Sequence, residues 1–286
     1  MLRVKVDPVD ILVLGAGWTS TFLIPQLDSE KISHAETTTT GSDGTIPFKF
    51  DPDADDVEPF TRLPAAHTVL ITFPLKGHGQ SKRITALYRQ AHGEQNQWMQ
   101  LGSTGIFNQT ADWTDEDAPY DRTNARAIAE DELRECVDGM VLNLAGLYGG
   151  QRKPSNWLSR IAQSKADVQQ KKAVHFIHGD DVARAIVAAH RNFTPGKRWI
   201  VADLRVYDWY DLILSFSGVA DEAEDHGGGD DEAAEGKRRY GKWVAELMAE
   251  EGVAALPRSP HVLGRKLDSR GFWSAMGAWP HHARLA

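Results

Sequence analysis

A chain of 286 residues with a single cysteine, Cys136, can build neither a disulfide framework nor a zinc site of several cysteines. That scarcity suits a reducing compartment, and the expected location is the cytoplasm. Long hydrophobic runs are missing too. The apolar run Ile11 to Leu14 is too short for a secretion signal, and no stretch approaches the roughly 20 apolar residues of a membrane helix, so no membrane partner is expected. Nor is there an excess of positive charge. The 32 Lys and Arg stand against 40 Asp and Glu, a balance unlike that of a nucleic-acid binder. The net charge of −8 is local, because "DEAEDHGGGDDEAAEG" (221–236) carries eight acids and no Lys or Arg. Too polar to bury itself, this stretch is expected to be a disordered surface loop. A Gly-x-Ser-x-Gly elbow is also absent, which removes support for a serine hydrolase.

What is present is an alternation of apolar runs and helical stretches. Ile11–Leu14 reads as a strand buried on both faces. Residues 21–27 place Phe22, Leu23 and Leu27 at helical spacing, with Pro25 confined to the first turns. Strands are predicted at 34–41, 46–50, 67–74, 97–105 and 139–149, and helices at 81–92 and 124–137. Strand and helix in alternation imply a parallel sheet covered on both sides, a doubly wound α/β fold of Rossmann type. Beyond residue 150 the pattern is less regular: a strand or loop enters a helix over 173–192, a strand follows at 198–203, and an amphipathic helix spans 237–252. The predicted organisation is a Rossmann domain over 1–150, completed by about 173–206, and a smaller C-terminal α+β substrate-binding portion within 151–286.

The first strand stops at Gly15-Ala16-Gly17-Trp18-Thr19-Ser20. Gly15 can supply a tight bend and Gly17 a close backbone approach. The following helix then presents free N–H groups to a pyrophosphate. Ser20 takes the place of a third glycine, and a small hydroxyl is tolerable there. This is the fingerprint of a dinucleotide cofactor, NADP or NAD. An acid at the end of the second strand would mark NAD, yet the chain reads Thr38-Thr39-Thr40-Gly41-Ser42. The hydroxyl-rich, non-acidic Thr40, Gly41 and Ser42 tilt the choice slightly toward NADP, although no Arg lies nearby. Trp18, Thr19, Phe73 and Pro74 complete the expected cofactor-binding set.

These pieces together resemble the NAD-dependent epimerase/dehydratase family, the extended short-chain dehydrogenase/reductases. "LGAGWTSTFLIPQL" (14–27) resembles its nucleotide turn and "LGSTGIF" (101–107) the strand that ends in a catalytic hydroxyl. "WTDEDAPYDRTNARAIAEDEL" (113–133) resembles the approach to the active-site helix, "LNLAGLYGG" (142–150) a glycine turn facing the substrate, and "HFIHGDDVARAI" (175–186) an Ile-His-x-x-Asp segment. The resemblance spans nearly the whole chain and implies a nicotinamide cofactor and a small hydroxyl or carbonyl substrate, possible sugar derivatives included. It also breaks at one point. Aligned on Ala127 to Glu130, the family's Tyr-x-x-x-Lys pair becomes Arg122 and Arg126, and Asn143 replaces an Arg. Arginine stays protonated, so Arg122 can stabilise an anion but cannot exchange a proton.

The chain thus resembles atypical members that have lost the catalytic tyrosine. Ser103 and Thr104 match the family's hydroxyl position, Tyr148 or Tyr120 is the candidate replacement phenol, and Arg126 takes the place of the lysine that holds the nicotinamide ribose. His178 and Asp181 are not expected to bind metal. Two functions stand open: an NAD(P)-dependent oxidoreductase or epimerase-like enzyme, or a non-catalytic NAD(P)-binding sensor or scaffold. Relatives suggest a homodimer through the helices at 81–92 and 124–137.

Overall fold

Ile11 and Val13 enter one hydrophobic core while Leu12 and Leu14 enter another, and all four are fully shielded from solvent. Side chains alternate across a strand, so a strand apolar at every position must be covered on both faces. The computed structural model describes residues 7–218, 231–282, 284 and 285. In it, β1 (Val9–Leu14) is joined by β2 (His34–Thr38), β3 (Ile46–Pro47), β4 (Ala66–Ile71), β5 (Gln97–Ser103), β6 (Met140–Leu144) and β7 (Arg198–Val201). The seven pair in the order β3-β2-β1-β4-β5-β6-β7, every pair parallel. Register is set at the centre, where Ile11 lies opposite both His34 and Thr68. The expected Rossmann-type doubly wound sheet is therefore observed.

Helices α1 (Ser20–Ser29) and α4 (Gly179–Arg191) cover the first face through Leu23, Leu27, Val182 and Ile186. Helices α2 (Gln80–His92) and α3 (Ala125–Val137) cover the other through Ile84, Tyr88, Ala129 and Leu133. The chain leaves β1 toward β2 on one side and returns in β4 on the other. A crevice therefore opens at the carboxyl ends of β1 and β4, the general ligand position of such sheets. Pro25 lies inside α1, in its second turn, past the first-turn positions where a missing N–H is free of cost, so the Thr21 carbonyl loses its helical donor.

Several boundaries differ from the sequence reading. The second strand ends at Thr38, because Gly41 takes φ +72° and turns the chain, and only Ile46–Pro47 of the expected 46–50 strand pairs. The 139–149 run splits into β6 and a short Gly146–Tyr148 strand that pairs with Phe176–His178. Residues 221–230 of the acidic stretch lie outside the described residues, and helix α6 begins at Asp231, inside the expected loop.

A third core holds Tyr148, Phe176, Tyr210, Val244 and Leu247, between α5 (Trp209–Gly218), α6 (Asp231–Glu250) and residues 154–169. It is tied by buried Arg258, whose Nη2 donates to Asp208 at 2.6 Å. The short α7 (Arg270–Met276) sends Phe272 and Trp273 back into the first core.

Candidate functional site

The turn after β1 has its conformation imposed by Gly15, at φ +96°. A Cβ there would lie 2.9 Å from both the Phe73 ring and Thr72 Oγ1. The Gly15 N–H donates to Thr37 Oγ1 at 3.0 Å, and Thr72 Oγ1 donates to the Gly15 carbonyl. These contacts anchor the bend to both neighbouring strands. Gly17 is different, because a Cβ on it would meet nothing within 4 Å. Its face is open.

Next to it, the Trp18 and Thr19 N–H groups have no partner among the described residues. Gly17 N–H reaches back to Gly15 O at 2.9 Å, and Ser20 N–H to Gly17 O at 3.0 Å. No side chain caps α1, no acid stands in its first turn, and Ser20 Oγ, though buried, has no hydrogen-bond partner. Unpaired donors at a positive helix end, beside open space and an orphaned hydroxyl, fit a pyrophosphate. The Gly15-to-Ser20 residues would hold a dinucleotide there. At the end of β2, Thr40 Oγ1 and Ser42 Oγ satisfy each other at 2.7 Å, and Thr38 Oγ1 caps the Gly41 N–H at 2.9 Å.

The crevice continues into a cleft of about 610 Å³ bordered by Thr19, Thr72, Pro74, Ser103, Arg126 and Leu147, with Gly102 in its wall. Ser103 ends β5 with its hydroxyl accepting only the Gly105 N–H, at 3.2 Å. Thr104, 7% exposed, donates instead to the Leu144 carbonyl at 3.2 Å, so its hydroxyl knits β5 to β6 and stands outside the cleft lining. Arg126 enters α3 behind the N-cap Asn124. Among the described residues its one side-chain hydrogen bond is to the Leu101 carbonyl at 3.3 Å, and its buried Nε has no partner. Arg152 and Arg160 complete the basic side of the cleft, the former lying 4.3 Å above the Trp18 ring. No carboxylate lines the cleft among the described residues.

Beneath Gly102 lies a buried polar cluster. Glu130, fully shielded, accepts from Arg198 Nη1 and from Asn143 Nδ2 at 2.9 Å, and Asn143 Nδ2 lies 3.2 Å from the Ser103 carbonyl. Gly102 is required by close approach here, since a Cβ would lie 2.3 Å from Asn143 Nδ2. Asn143, which stands in place of the family's Arg, thus couples the Ser103 backbone to an ion pair formed by an arginine from a different strand, β7.

Among solved structures, the chain superposes on a functionally unknown conserved protein from Silicibacter pomeroyi with TM-score 0.63 at 16% identity, over 97% of this chain and 95% of that one. A protein from Methylobacillus flagellatus, provisionally described as an NAD-dependent epimerase/dehydratase, gives 0.61 at 16% identity over 96% and 94%. The dTDP-glucose 4,6-dehydratase of Bacillus anthracis, solved with NAD, gives 0.55 at 10% identity over 96% and 92%. The chain shares its fold with these proteins, the epimerase/dehydratases among them. No family model matches the sequence, and no curated protein matches it at a significant level. The likeness to the epimerase/dehydratases is thus carried by backbone and topology, and the site must be argued from this chain's own side chains.

In this epimerase/dehydratase frame, the sequence-predicted phenols do not meet Ser103. Tyr120 donates to the Asp131 carboxylate at 2.8 and 2.9 Å with Arg198 4.6 Å above its ring, and it lines a separate depression together with Arg122. Burial and the Asp131 bond both raise its pKa. Tyr148, 7% exposed, faces a neighbouring cavity of about 350 Å³ that His282, Arg284 and Leu285 also line. Burial and the charges of Asp203 and Asp181 hold that phenol far above the ordinary range. Both shifts oppose ionisation. Phe73 supports the turn from below by packing on Gly15.

His178 caps α4 and stacks on His282 at 3.8 Å. The fully buried Asp181 carboxylate accepts the backbone N–H groups of His281 and His282 at 2.7 and 2.8 Å. The sequence reading missed Arg152 and Arg160. The signal was the acid-free stretch 151–164, three basic residues directly after the Tyr148-Gly149-Gly150 turn.

Proposed function

We propose that this chain binds NAD or NADP across the carboxyl edge of its sheet and carries out oxidoreduction, or a related epimerase-like reaction, on a small hydroxyl or carbonyl compound in the adjoining cleft. The observation that carries the reading is the pair of unpartnered N–H groups at Trp18 and Thr19, beside the open face of Gly17. When bound, a nicotinamide supplies or takes up a hydride.

The chain's own groups do the rest. Ser103, whose hydroxyl hydrogen is uncommitted, can donate to a substrate oxygen. The Arg126 guanidinium can stabilise negative charge that develops there, and it remains cationic throughout. The apolar Pro74, Leu101, Leu144 and Leu147 limit water in the cleft.

A second reading, a non-catalytic dinucleotide sensor or scaffold, is favoured by one feature: both candidate phenols stand outside the Ser103 cleft. A single-turnover experiment separates the two. Protein with reduced coenzyme is mixed with a panel of small carbonyl compounds while nicotinamide absorbance is followed. Loss of absorbance that disappears in Ser103→Ala supports the enzyme. Saturable coenzyme binding with no absorbance change across the panel supports the sensor, and absence of coenzyme binding overturns both. The absence of an acid at the end of β2 favours NADP, which paired titrations of the two coenzymes test directly.

A further inference from the structure

Three arginines, Arg126, Arg152 and Arg160, border the Ser103 cleft. None of them forms an ion pair among the described residues, and no carboxylate shares the lining. Uncompensated guanidinium groups in one concavity repel each other and attract anions, and proteins ordinarily place a carboxylate among them. Elsewhere this fold does so: Arg198 meets Glu130 and Asp131, and Arg258 meets Asp208. In the cleft, three guanidinium groups share one concavity without such a partner among the described residues.

The charge can be counted, resting on the dinucleotide reading above. Paired phosphates at the Gly17 turn bring two negative charges, and a 2′-phosphate, if present, lies at the far end of the crevice near β2. The turn's free N–H groups share that charge with whichever guanidinium stands beside them, so the phosphates do not require all three arginines. Placement divides the three. Arg152 is held over the Trp18 ring, beside the turn's free N–H groups, where it faces the phosphates. Arg126 lies at the β5 end near Ser103, with a buried, unpartnered Nε and a single long bond to a carbonyl. Arg160 lines the same cleft from the segment after β6, and Trp157 supplies an aromatic wall.

We infer that the substrate is an anion, a small molecule bearing a carboxylate or phosphate ester close to its reacting carbonyl or hydroxyl, and that Arg126 and Arg160 grip that group. A planar guanidinium fork matches two oxygens of a carboxylate or phosphate, which a neutral ketone or alcohol cannot offer. The grip also accounts for an arginine where relatives keep a lysine. A second fork near the reacting centre fixes the substrate's orientation through its anion, whereas an ammonium offers only a point charge.

The test is equilibrium binding to the coenzyme-saturated protein, read by tryptophan fluorescence or calorimetry, with matched probes. Oxamate and pyruvate are compared with neutral hydroxyacetone, and dihydroxyacetone phosphate with dihydroxyacetone. The expected result is at least about 10-fold tighter binding of one anionic probe class than of its neutral partner, weakening as salt is raised. The carboxylate and phosphate arms show which anion is taken. Arg160→Met, at an exposed position, should weaken the anion about 10-fold or more while leaving coenzyme affinity within about 2-fold, and Arg126→Met should weaken the anion at least as much. Arg152→Met should weaken the coenzyme instead. Arg126→Lys should recover only part of the anion affinity, because it restores charge without the fork.

Equal binding of anionic and neutral probes overturns the inference, as does an Arg126→Met that loosens coenzyme and leaves anion affinity intact. Failure of the coenzyme to bind at all is a different outcome, visible before any probe is added, and strikes the dinucleotide reading itself.

Discussion

Substituting alanine at the two glycines of the nucleotide turn should separate folding from binding. Gly17→Ala adds a methyl group that meets nothing within 4 Å, at a position whose φ is not in the left-handed region. Its effect on stability should stay within about 0.5 kcal/mol, as for surface changes, with a small gain possible from the less flexible unfolded chain. If phosphates approach that face, the same methyl occupies their position. Coenzyme affinity should then fall at least about 10-fold, equivalent to about 1.4 kcal/mol.

Gly15→Ala is the opposite case. A φ of +96° costs a residue with Cβ about 1–2 kcal/mol, and moving the Phe73 ring and Thr72 away from contacts of 2.9 Å adds about 1–3 kcal/mol. The sum, about 2–5 kcal/mol, lowers the melting temperature by roughly 3–8 °C for a chain of this size. Thermal melting of both variants, followed by fluorescence titration with NADH and NADPH, tests the pair. If Gly17→Ala binds coenzyme as the unaltered chain does, no phosphate rests on that turn. If Gly15→Ala melts unchanged, the strain argument is wrong.

Arg198→Met leaves Glu130 as an uncompensated buried charge and should cost about 3–5 kcal/mol, read as a lower urea midpoint, with partial recovery in Arg198→Met/Glu130→Gln. Tyr120→Phe removes the Asp131 hydrogen bond and should cost about 1–3 kcal/mol without changing coenzyme affinity. A loss of affinity would mean that its depression communicates with the cleft.

Two buried groups should tilt stability against pH in opposite directions. Burial pushes the Asp203 carboxyl up from 3.8 to about 7. The folded state therefore holds that proton more tightly, a stabilisation complete below about pH 4 and lost as pH rises through about 7. Burial holds His175 down from 6.5 to about 3, so its contribution is present above about pH 6.5 and lost as pH falls toward 3. Urea midpoints across this range should lose their decline toward neutral pH in Asp203→Asn and their acid decline in His175→Gln. Unchanged slopes would contradict both assignments.

The sheet was legible because its information is local: Ile11–Leu14, 67–74 and 97–103 are runs apolar enough to need cover on both faces, and the helical stretches between them leave few topologies. Gly15 and Gly17 were legible for the same reason, since a strand, a turn and a helix start lie within a dozen residues. The orientation of Tyr148 was not. It depends on His282, Arg284 and Leu285 lining the same cavity and on the Arg284 carbonyl accepting from the Tyr148 hydroxyl, a contact across more than 130 positions that no short pattern encodes. Thr104 and Ser103 are neighbours with the same hydroxyl chemistry, and only the pairing of β5 with β6 assigns one to a carbonyl and the other to the cleft. The strand expected at 34–41 overran because threonine favours extended backbone, while the turn at Gly41 is enforced by Pro47 packed against it.

The partnership of α1 with α4 has a consequence for synthesis. The apolar side of α1, with Leu23 and Leu27, is covered by residues 179–191, and Phe22 lies so close to Gly179 that a Cβ there would be 2.3 Å from its ring. At roughly 5–20 residues per second, a nascent chain would carry that bare surface for about 10–30 s before its cover emerges from the ribosome. The segment proposed to grip the cofactor is thus made roughly 150 residues ahead of its cover, a natural client for a holding chaperone, and a fragment cut at residue 150 should aggregate on expression.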